Sequence, residues 1–407
     1  MPELAVFGVL VVLYGVASRR LEGSVVTGPM VFAAAGLAVG ALGGSIGVDV
    51  GEASAGRHLD VAATARHVAE ISLVLLLFTD AARIDTRVLR GSRSLPRRLL
   101  GIGLPLTIVL GSLVALGLLR GELEVWEACL VGAILAPTDA ALGAVVVSSP
   151  KLPVRLRQAL NVEAGLNDGL AVPFFTVFAV LAAEAALGET SFLEVALEKI
   201  GYGLLVGVGI GAAGGRLLRQ ASARRWALPE FERLSVLVLA VLAWWAAEEI
   251  GGSGLIAAFV GGLAFGVARR ARAEGALELA DELGRLLSLL IFYGLGVVAV
   301  DVIPEASSNA VLYALLSLTA LRMLPVAVAL RGTDLDRRTV AYLGWFGPRG
   351  LASIVLALIL LVEYPEVTGG VDVFVIVALT VLVSIFAHGA TAAPLTERYA
   401  AGRNRSG

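Results

Sequence analysis

The chain has 407 residues, of which 57% are hydrophobic and only 16% are charged, and its mean hydropathy is +0.86. Soluble domains carry about 25% charged residues, so this composition excludes a soluble globule and indicates a polytopic membrane protein. The formal net charge of -2 provides no positive field that would attract nucleic acid. The sole cysteine, Cys129, excludes an internal disulfide.

Apolar runs of about 20 residues predict membrane-spanning helices. In chain order, about thirteen such runs cover residues 3–18, 25–44, 61–82, 98–119, 125–148, 156–183, 192–218, 231–250, 254–268, 277–300, 306–330, 339–362 and 371–395. The first run lacks a preceding basic segment and a small-residue cleavage site, so we expect a permanent helix rather than a removed signal peptide.

The loops between these runs alternate in charge. Basic residues follow the odd-numbered runs, including the last, and acidic residues follow the even-numbered runs. The positive-inside rule therefore places the N-terminus outside and the C-terminus in the cytoplasm. We expect the membrane to be the plasma (inner) membrane. If the seventh run is a lone linker, the six runs before it and the six after it have opposite topology, which is the inverted-repeat plan of many secondary transporters.

Two runs are interrupted at matching positions. The fifth run contains ILAPTDAAL with Pro137, and the twelfth contains WFGPRGLAS with Pro348. Proline removes a backbone hydrogen bond, and paired interruptions of this kind indicate a binding site near the membrane midplane. Asp139 is suited to the exposed amides of a broken helix and Arg349 to the exposed carbonyls. Two interpretations remain open, that these charges only complete helix ends or that they help to bind an ion. Thr138 can offer a cation its hydroxyl or carbonyl, or bond back to its own helix.

The sixth run carries Asp168 near its middle. A carboxylate at this depth costs about 3 kcal/mol or more, so its charge needs a proton, a cation or a buried base such as Arg349 or Arg285. A group that holds either a proton or a cation couples the two flows by competition. Glu163 and Asn167 are four residues apart and share a helical face, while Asp168 points about 100° away. We therefore expect Glu163 to pair with Arg349, Asp168 to bind the ions, and Asn167 to hold the broken segments by hydrogen bonds.

Three motifs carry a resemblance to a known family. PTDAA at 137–141, VEAGLNDG at 162–169 and GPRGLAS at 347–353 resemble cation:proton antiporter family 1, the sodium/proton exchangers of the NhaP and animal NHE type. The resemblance implies an all-α membrane protein of about thirteen helices, with an inverted six-helix repeat and two interrupted crossing helices. The implied parts are a dimerisation domain (1–90 and 229–303), a core transport domain (91–186 and 304–398), a linker helix (187–228) and a short cytoplasmic tail (399–407).

The resemblance also implies roles for individual residues. Asp168 would be the carboxylate that binds both proton and cation, Thr138 and Asp139 would line the cation site, and Na⁺ would lie at Asp168 and Thr138. Glu163 and Arg349 would form a structural ion pair. No cofactor is implied beyond the transported ions, Na⁺ (or K⁺ or Li⁺) and H⁺.

Four further residues would organise the site, namely Pro137, Pro348, Asn167 and Ala164. The Asn-Asp pair resembles the electroneutral members of the family, which implies exchange of one cation for one proton. Ala164 departs from the pattern, because many members have serine at this position and use its hydroxyl as a cation ligand. This departure leaves the choice between Na⁺, K⁺ and Li⁺ open.

A Na⁺/H⁺ antiporter with alternating access is the leading hypothesis, and K⁺/H⁺ exchange is the alternative within the same class. A cation channel is a different class, but no repeated carbonyl-filter motif occurs in the chain. An intramembrane aspartyl protease would need Asp139 and Asp168 about 3 Å apart, and would leave Asn167 and Arg349 without a role. We therefore expect no enzyme activity, a homodimer within the lipid bilayer, and no nucleic-acid partner.

Overall fold

The fold is almost entirely helical. The computed structural model describes residues 2–21, 24–43, 55–84, 95–139, 142–143, 146–147, 149–187, 192–269 and 274–404. Within this part of the chain, the β structure is one isolated bridge between Arg120 and Leu123.

Within the described residues, seven helices precede residue 225. They are α1 (Pro2–Leu21), α2 (Gly28–Gly43), α3 (Ala55–Ala82), α4 (Leu95–Leu118), α5 (Val125–Ile134), α6 (Val154–Leu187) and α7 (Phe192–Ala223). Inside α4 lies a π-helical turn, Leu99–Gly103, in which the Leu104 amide donates to the Leu99 carbonyl. Pro105 follows this turn and has no N–H to continue the α-helical ladder, which accounts for the local change of hydrogen bonding.

Eight further helices follow in the described part of the chain. They are α8 (Pro229–Glu248), α9 (Gly254–Arg269), α10 (Glu274–Val302), α11 (Ser308–Leu318), α12 (Ala320–Ala329), α13 (Arg337–Trp345), α14 (Leu351–Glu363) and α15 (Gly370–Asn404). Each predicted apolar run contains helix, and the runs 306–330 and 339–362 each contain two helices separated by a break.

Seven helical segments of the described residues are long and apolar enough to cross a membrane, and one of them, Ser308–Ala329, contains both α11 and α12. The seven segments are Leu4–Leu21, Leu95–Leu118, Val154–Leu187, Glu194–Ala223, Gly275–Glu305, Ser308–Ala329 and Gly370–Gly402. Four shorter apolar helices accompany them, namely Gly28–Leu42, Val125–Ile134, Gly254–Arg269 and Leu351–Glu363. An all-helical multi-pass membrane protein is thus confirmed, and the count of thirteen spans stays a prediction.

The chain divides into two compact units. The first unit comprises residues 1–65, 95–164 and 289–407, and the second comprises residues 66–94 and 165–288. The helix α6 runs through both units, since the division falls after residue 164. The predicted dimerisation, core and linker roles stay predictions.

One end of the first unit, here called the basic end, gathers loops that the charge alternation assigns to the same side. Arg98 donates to the carbonyls of Ala329 and Arg331. Lys151 pairs with Glu397 at 2.9 Å, and Arg155 pairs with Asp334 at 2.7 Å. We define the basic end by Arg98, Lys151, Arg155 and Arg331.

Loops of the opposite predicted side also contact one another within the first unit. The Ser307 hydroxyl donates to Glu122 at 2.9 Å, and the Gly369 amide donates to Glu127 at 2.7 Å. In sequence, these contacts join residues in or next to the loops after the fourth, tenth and twelfth predicted runs, all of which are acidic.

In the second unit, α7 and α9 pack backbone against backbone. Gly207, Gly211 and Gly215 repeat at intervals of four on one face of α7 and lie against Ala257, Gly261 and Phe265 of α9. Small residues allow this close approach without a side chain between the helices, as in many membrane proteins.

Candidate functional site

The two interrupted helices meet at their breaks. The helix α5 ends at Ile134 and residues 135–139 are non-helical, while α13 ends at Trp345 and residues 346–350 are non-helical. The breaks contain the buried prolines Pro137 and Pro348. The backbone amide of Asp139 donates to the carbonyl of Pro348 at 2.8 Å, so each break supplies a hydrogen-bond partner to the other.

Asp139 completes the start of α14. One carboxylate oxygen, Oδ2, accepts the Leu351 amide at 2.9 Å, and Oδ1 accepts the Leu142 amide at 3.1 Å. A negative charge is favourable here because the first amides of a helix lack intrahelical acceptors and carry partial positive charge. A methyl group at Gly350 would lie 1.9 Å from Asp139 Oδ2, so only glycine allows the carboxylate to approach the helix start. Asp139 therefore has the helix-end role, and its contact with a cation stays a prediction.

Arg349 completes the broken end of α5. Its side chain is fully buried. The guanidinium Nη1 donates to the carbonyls of Ala136 and Pro137, the latter at 2.9 Å, and Nη2 donates to the Ser317 carbonyl at 3.3 Å. The carbonyls at an interrupted helix end have lost their intrahelical donors. The arginine supplies replacement donors inside the protein, where water cannot reach these carbonyls.

The predicted ion pair between Glu163 and Arg349 is corrected by the structure. Glu163 pairs with Arg322 of α12 at 2.6 Å, and each side chain is only 3% exposed. Arg349 instead donates from its two Nη groups to backbone carbonyls. The prediction considered only Arg349 and Arg285 as buried bases, and Arg285 pairs with Asp281 of the second unit at 3.1 Å. Arg322 carried an available signal, since it is a charged residue inside the apolar run 306–330.

A chain of side-chain hydrogen bonds from α15 holds the break on its other side, and the sequence did not indicate it. The Arg349 amide donates to Ser384 Oγ at 2.7 Å. Ser384 Oγ lies 3.1 Å from His388 Nδ1, and His388 Nε2 lies 3.1 Å from the Trp345 carbonyl. Ser384 and His388 are one helical turn apart, so a polar pair spaced by four in an apolar helix was the signal to notice.

Asn167 and Asp168 lie on α6 in the second unit, on a helix that continues through Pro173. Asn167 is buried and Asp168 is half-buried. A methyl group at Gly169 would lie 2.1 Å from the ring of Phe259, so α9 packs directly against the helical turn that carries Asp168. Pro173 has no N–H to donate to the Gly169 carbonyl, so a backbone oxygen beside Asp168 lacks its helical partner.

The remaining predicted site residues occupy the first unit. Thr138 is 3% exposed within the first break, and Ala164 is half-buried on α6. Asp168 belongs to the second unit. The sodium site formed by Asp168 and Thr138 therefore stays a prediction.

Two helices that meet at breaks in apolar runs, one completed by the half-buried Asp139 and the other by the buried Arg349, are typical of secondary transporters. Residues 6–398 match the family described as "Sodium/hydrogen exchanger, transmembrane". The chain therefore belongs to this family, which is a family of transporters and not of enzymes. This membership rejects the aspartyl protease alternative.

Several characterised proteins are similar in sequence. The chain is 27% identical to the "K(+)/H(+) antiporter NhaP" of Alkalimonas amylolytica over 81% of its own length and 56% of that protein. It is 27% identical to the "K(+)/H(+) antiporter NhaP2" of Shewanella sp. (strain ANA-3) over 85% of its length and 60% of that protein. It is 25% identical to the "Na(+)/H(+) antiporter" of Schizosaccharomyces pombe over 64% of its length and 62% of that protein. The chain thus spans less than two thirds of each relative.

The fold also resembles solved structures. The structure of the sodium proton antiporter MjNhaP1 from Methanocaldococcus jannaschii superposes with a TM-score of 0.75 and 20% identity, and covers 96% of this chain and 99% of that chain. A second structure of the same antiporter, determined by electron microscopy, gives a TM-score of 0.71 at 21% identity. These similarities establish an NhaP1-like fold.

Proposed function

We propose that the protein is a cation:proton antiporter in which Asp168 binds either a proton or an alkali cation and carries each across the membrane by alternating access. The observation that carries this proposal is the Asn167–Asp168 pair on α6, a helix long enough to cross a membrane, in a chain of the sodium/hydrogen exchanger family. The named relatives all exchange an alkali cation for a proton, which supports the same class of activity here.

The proposed architecture has thirteen spans with an inverted six-helix repeat, an outside N-terminus and a cytoplasmic C-terminus in the plasma membrane. Its support is the charge alternation of the loops. The contacts within the first unit agree with it, because basic loops touch basic loops at one end and the acidic loops touch one another elsewhere. A homodimer follows from the family resemblance.

In the proposed site, Asp168 supplies the exchangeable charge and the neighbouring Gly169 carbonyl supplies a second oxygen. Carboxylate and carbonyl oxygens are suitable ligands for hard cations. Asp139 already accepts two backbone amides, so its main contribution is to hold the break that contains Thr138. Asn167 and Ala164 flank Asp168 on α6 and set the size and polarity of its surroundings.

The proposed cation is Na⁺, and the exchange is electroneutral at one cation per proton. The basis is the resemblance of the Asn-Asp motif to electroneutral sodium exchangers. K⁺ is the second candidate, because the Alkalimonas and Shewanella relatives are K⁺/H⁺ antiporters and Ala164 removes a hydroxyl ligand.

Proteoliposomes with an imposed pH gradient test this proposal. We expect Na⁺ to drive proton movement at lower concentration than K⁺, with Li⁺ measured alongside, and we expect the rate to be independent of an imposed membrane potential. An Ala164→Ser substitution adds one hydroxyl ligand and should lower the half-saturating Na⁺ concentration by roughly fivefold.

Ala186→Ser is the matched control, since Ala186 is an exposed residue near the far end of the same helix. If K⁺ drives proton movement at lower concentration than Na⁺, the proposed cation becomes K⁺. Proton movement that no alkali cation elicits would reject antiport, and steady cation current without a proton gradient would favour a channel.

A further inference from the structure

A groove with an aromatic wall opens at the basic end of the first unit, between α13 and the last turns of α15. Its volume is about 750 Å³. Tyr342 is stacked on Tyr399 with ring centroids 4.6 Å apart, and it also contacts Phe346 at 4.6 Å. Trp345 and Leu395 complete the apolar lining. An apolar chain can therefore pack along this wall without any rearrangement of the rings.

The polar atoms of the aromatic wall are already satisfied by neighbouring side chains. The Tyr342 hydroxyl lies 2.8 Å from Thr396 Oγ1, the Tyr399 hydroxyl lies 2.7 Å from Thr339 Oγ1, and Trp345 donates to a threonine of α15 at 3.0 Å. A ligand in the groove therefore meets ring faces and aliphatic groups, while its polar part must be recognised elsewhere.

Two arginines stand at the rim of the groove, Arg338 on α13 and Arg398 on α15. Both are exposed, and within the described residues neither pairs with a carboxylate. Arg338 reaches across to α15, where its Nη1 lies 3.8 Å from the position of a methyl group at Gly402. The two arginines therefore line the same groove, one from each of its two helices.

One acid, Asp336, also lines the groove, but its carboxylate has a structural role. Its Oδ1 accepts the Thr339 amide at 3.1 Å and thereby caps α13. Hydrogen bonds from Thr339, together with the nearby charge of Arg338, hold the pKa of Asp336 below its ordinary value. Two arginines and one aspartate give the lining a net charge of +1, so the groove favours an anion over a cation.

We propose that this groove binds an anionic phospholipid. The phosphate would accept hydrogen bonds from Arg338 and Arg398, and an acyl chain would lie along Trp345, Phe346 and Leu395. Basic pockets between membrane helices bind anionic headgroups, and tyrosine and tryptophan are enriched at the headgroup level. In the proposed orientation this end faces the cytoplasmic leaflet, where anionic lipids attract basic residues. A soluble phosphate ester shares the headgroup chemistry but leaves the apolar wall uncovered.

A bound lipid would tie α13 to α15. This matters because α13 is the half-helix that leads into the break at Pro348, and α15 supplies Ser384 and His388 to the same break. The site lies entirely within the first unit, and its binding can be measured without any transport assay.

Thermal unfolding of the purified, delipidated protein in a neutral detergent tests the proposal. Phosphatidylglycerol, phosphatidylcholine and glycerol 3-phosphate are titrated separately, and native mass spectrometry counts the bound lipid. We expect phosphatidylglycerol to raise the Tm in a saturable way and the other two to leave it unchanged. In the variant Arg338→Gln/Arg398→Gln, the half-saturating phosphatidylglycerol concentration should rise roughly thirtyfold, which reflects the loss of two headgroup contacts.

Arg337→Gln is the matched control, since Arg337 is the exposed neighbour of Arg338 on the same helix but does not line the groove. The lipid response of Arg337→Gln should match that of the wild type. Without lipid, the double variant should unfold at the wild-type temperature, because both arginines are exposed. Three results would overturn the proposal, namely an unchanged lipid response in the double variant, an equal loss in Arg337→Gln, or the same Tm rise with glycerol 3-phosphate.

Discussion

Replacing Asp168 by asparagine is expected to reduce cation-dependent proton movement in proteoliposomes to the rate of protein-free vesicles. Asparagine keeps the size of the side chain but holds neither a proton nor a compensating negative charge for a cation. Asp168 is half-buried on α6, and Pro173 has no N–H to donate to the carbonyl of the next residue, Gly169, so this turn is the proposed binding point. Fluorescence of a trapped pH dye during a Na⁺ jump measures the effect.

Asp372→Asn is the matched control for this loss. Asp372 is an exposed acid in the first turn of α15, and the same change of charge there should leave the exchange rate unaltered. Both variants should be folded, as judged by a single symmetric size-exclusion peak. Wild-type exchange by a folded Asp168→Asn protein would contradict the assignment of the ion-binding carboxylate.

The second large effect is expected at the ion pair between Glu163 and Arg322. Removing either charge alone leaves the other buried without compensation, because both side chains are only 3% exposed. Glu163→Leu or Arg322→Met should therefore lower the free energy of unfolding by about 3–5 kcal/mol. Thermal unfolding in detergent and the yield of monodisperse protein measure this loss.

A double-mutant cycle distinguishes the observed pair from the pair that the sequence suggested. Glu163→Leu combined with Arg322→Met removes both buried charges and should recover most of the lost stability. Glu163→Leu combined with Arg349→Met should be less stable than either single variant, because Arg349 serves the carbonyls of Ala136 and Pro137. If the stability losses were additive in Glu163→Leu/Arg322→Met and stability recovered in Glu163→Leu/Arg349→Met, then Arg349 and not Arg322 would be the partner of Glu163.

Much of the fold was predictable because its signals are local. Apolar runs of membrane length predict helices, and the prolines at 137 and 348 predict where two of them break. The nature of the charges at each break was predictable for the same reason, since a broken helix leaves amides at one end and carbonyls at the other. Asp139 and Arg349 satisfy these groups across the two breaks.

The partner of Glu163 could not be derived in the same way. Helical spacing shows which face of α6 carries Glu163, but it does not show which helix lies opposite that face. Arg322 lies in a run that was expected to form one continuous span, and the structure instead breaks it at Thr319 between α11 and α12. Pro325 weakens the turn before it, yet the exact position of the break depends on packing that the sequence pattern does not describe.

The pH dependence of the half-saturating cation concentration tests the central claim most directly. If one carboxylate binds either ion, the apparent affinity for the cation must fall as protons compete for Asp168. Below the pH at which Asp168 takes up its proton, each further unit of acidification should raise the half-saturating concentration about tenfold, with the maximal rate at saturating cation unchanged. A half-saturating concentration that stays constant across this range, while the maximal rate falls, would mean that proton and cation bind at separate sites and would contradict exchange by competition.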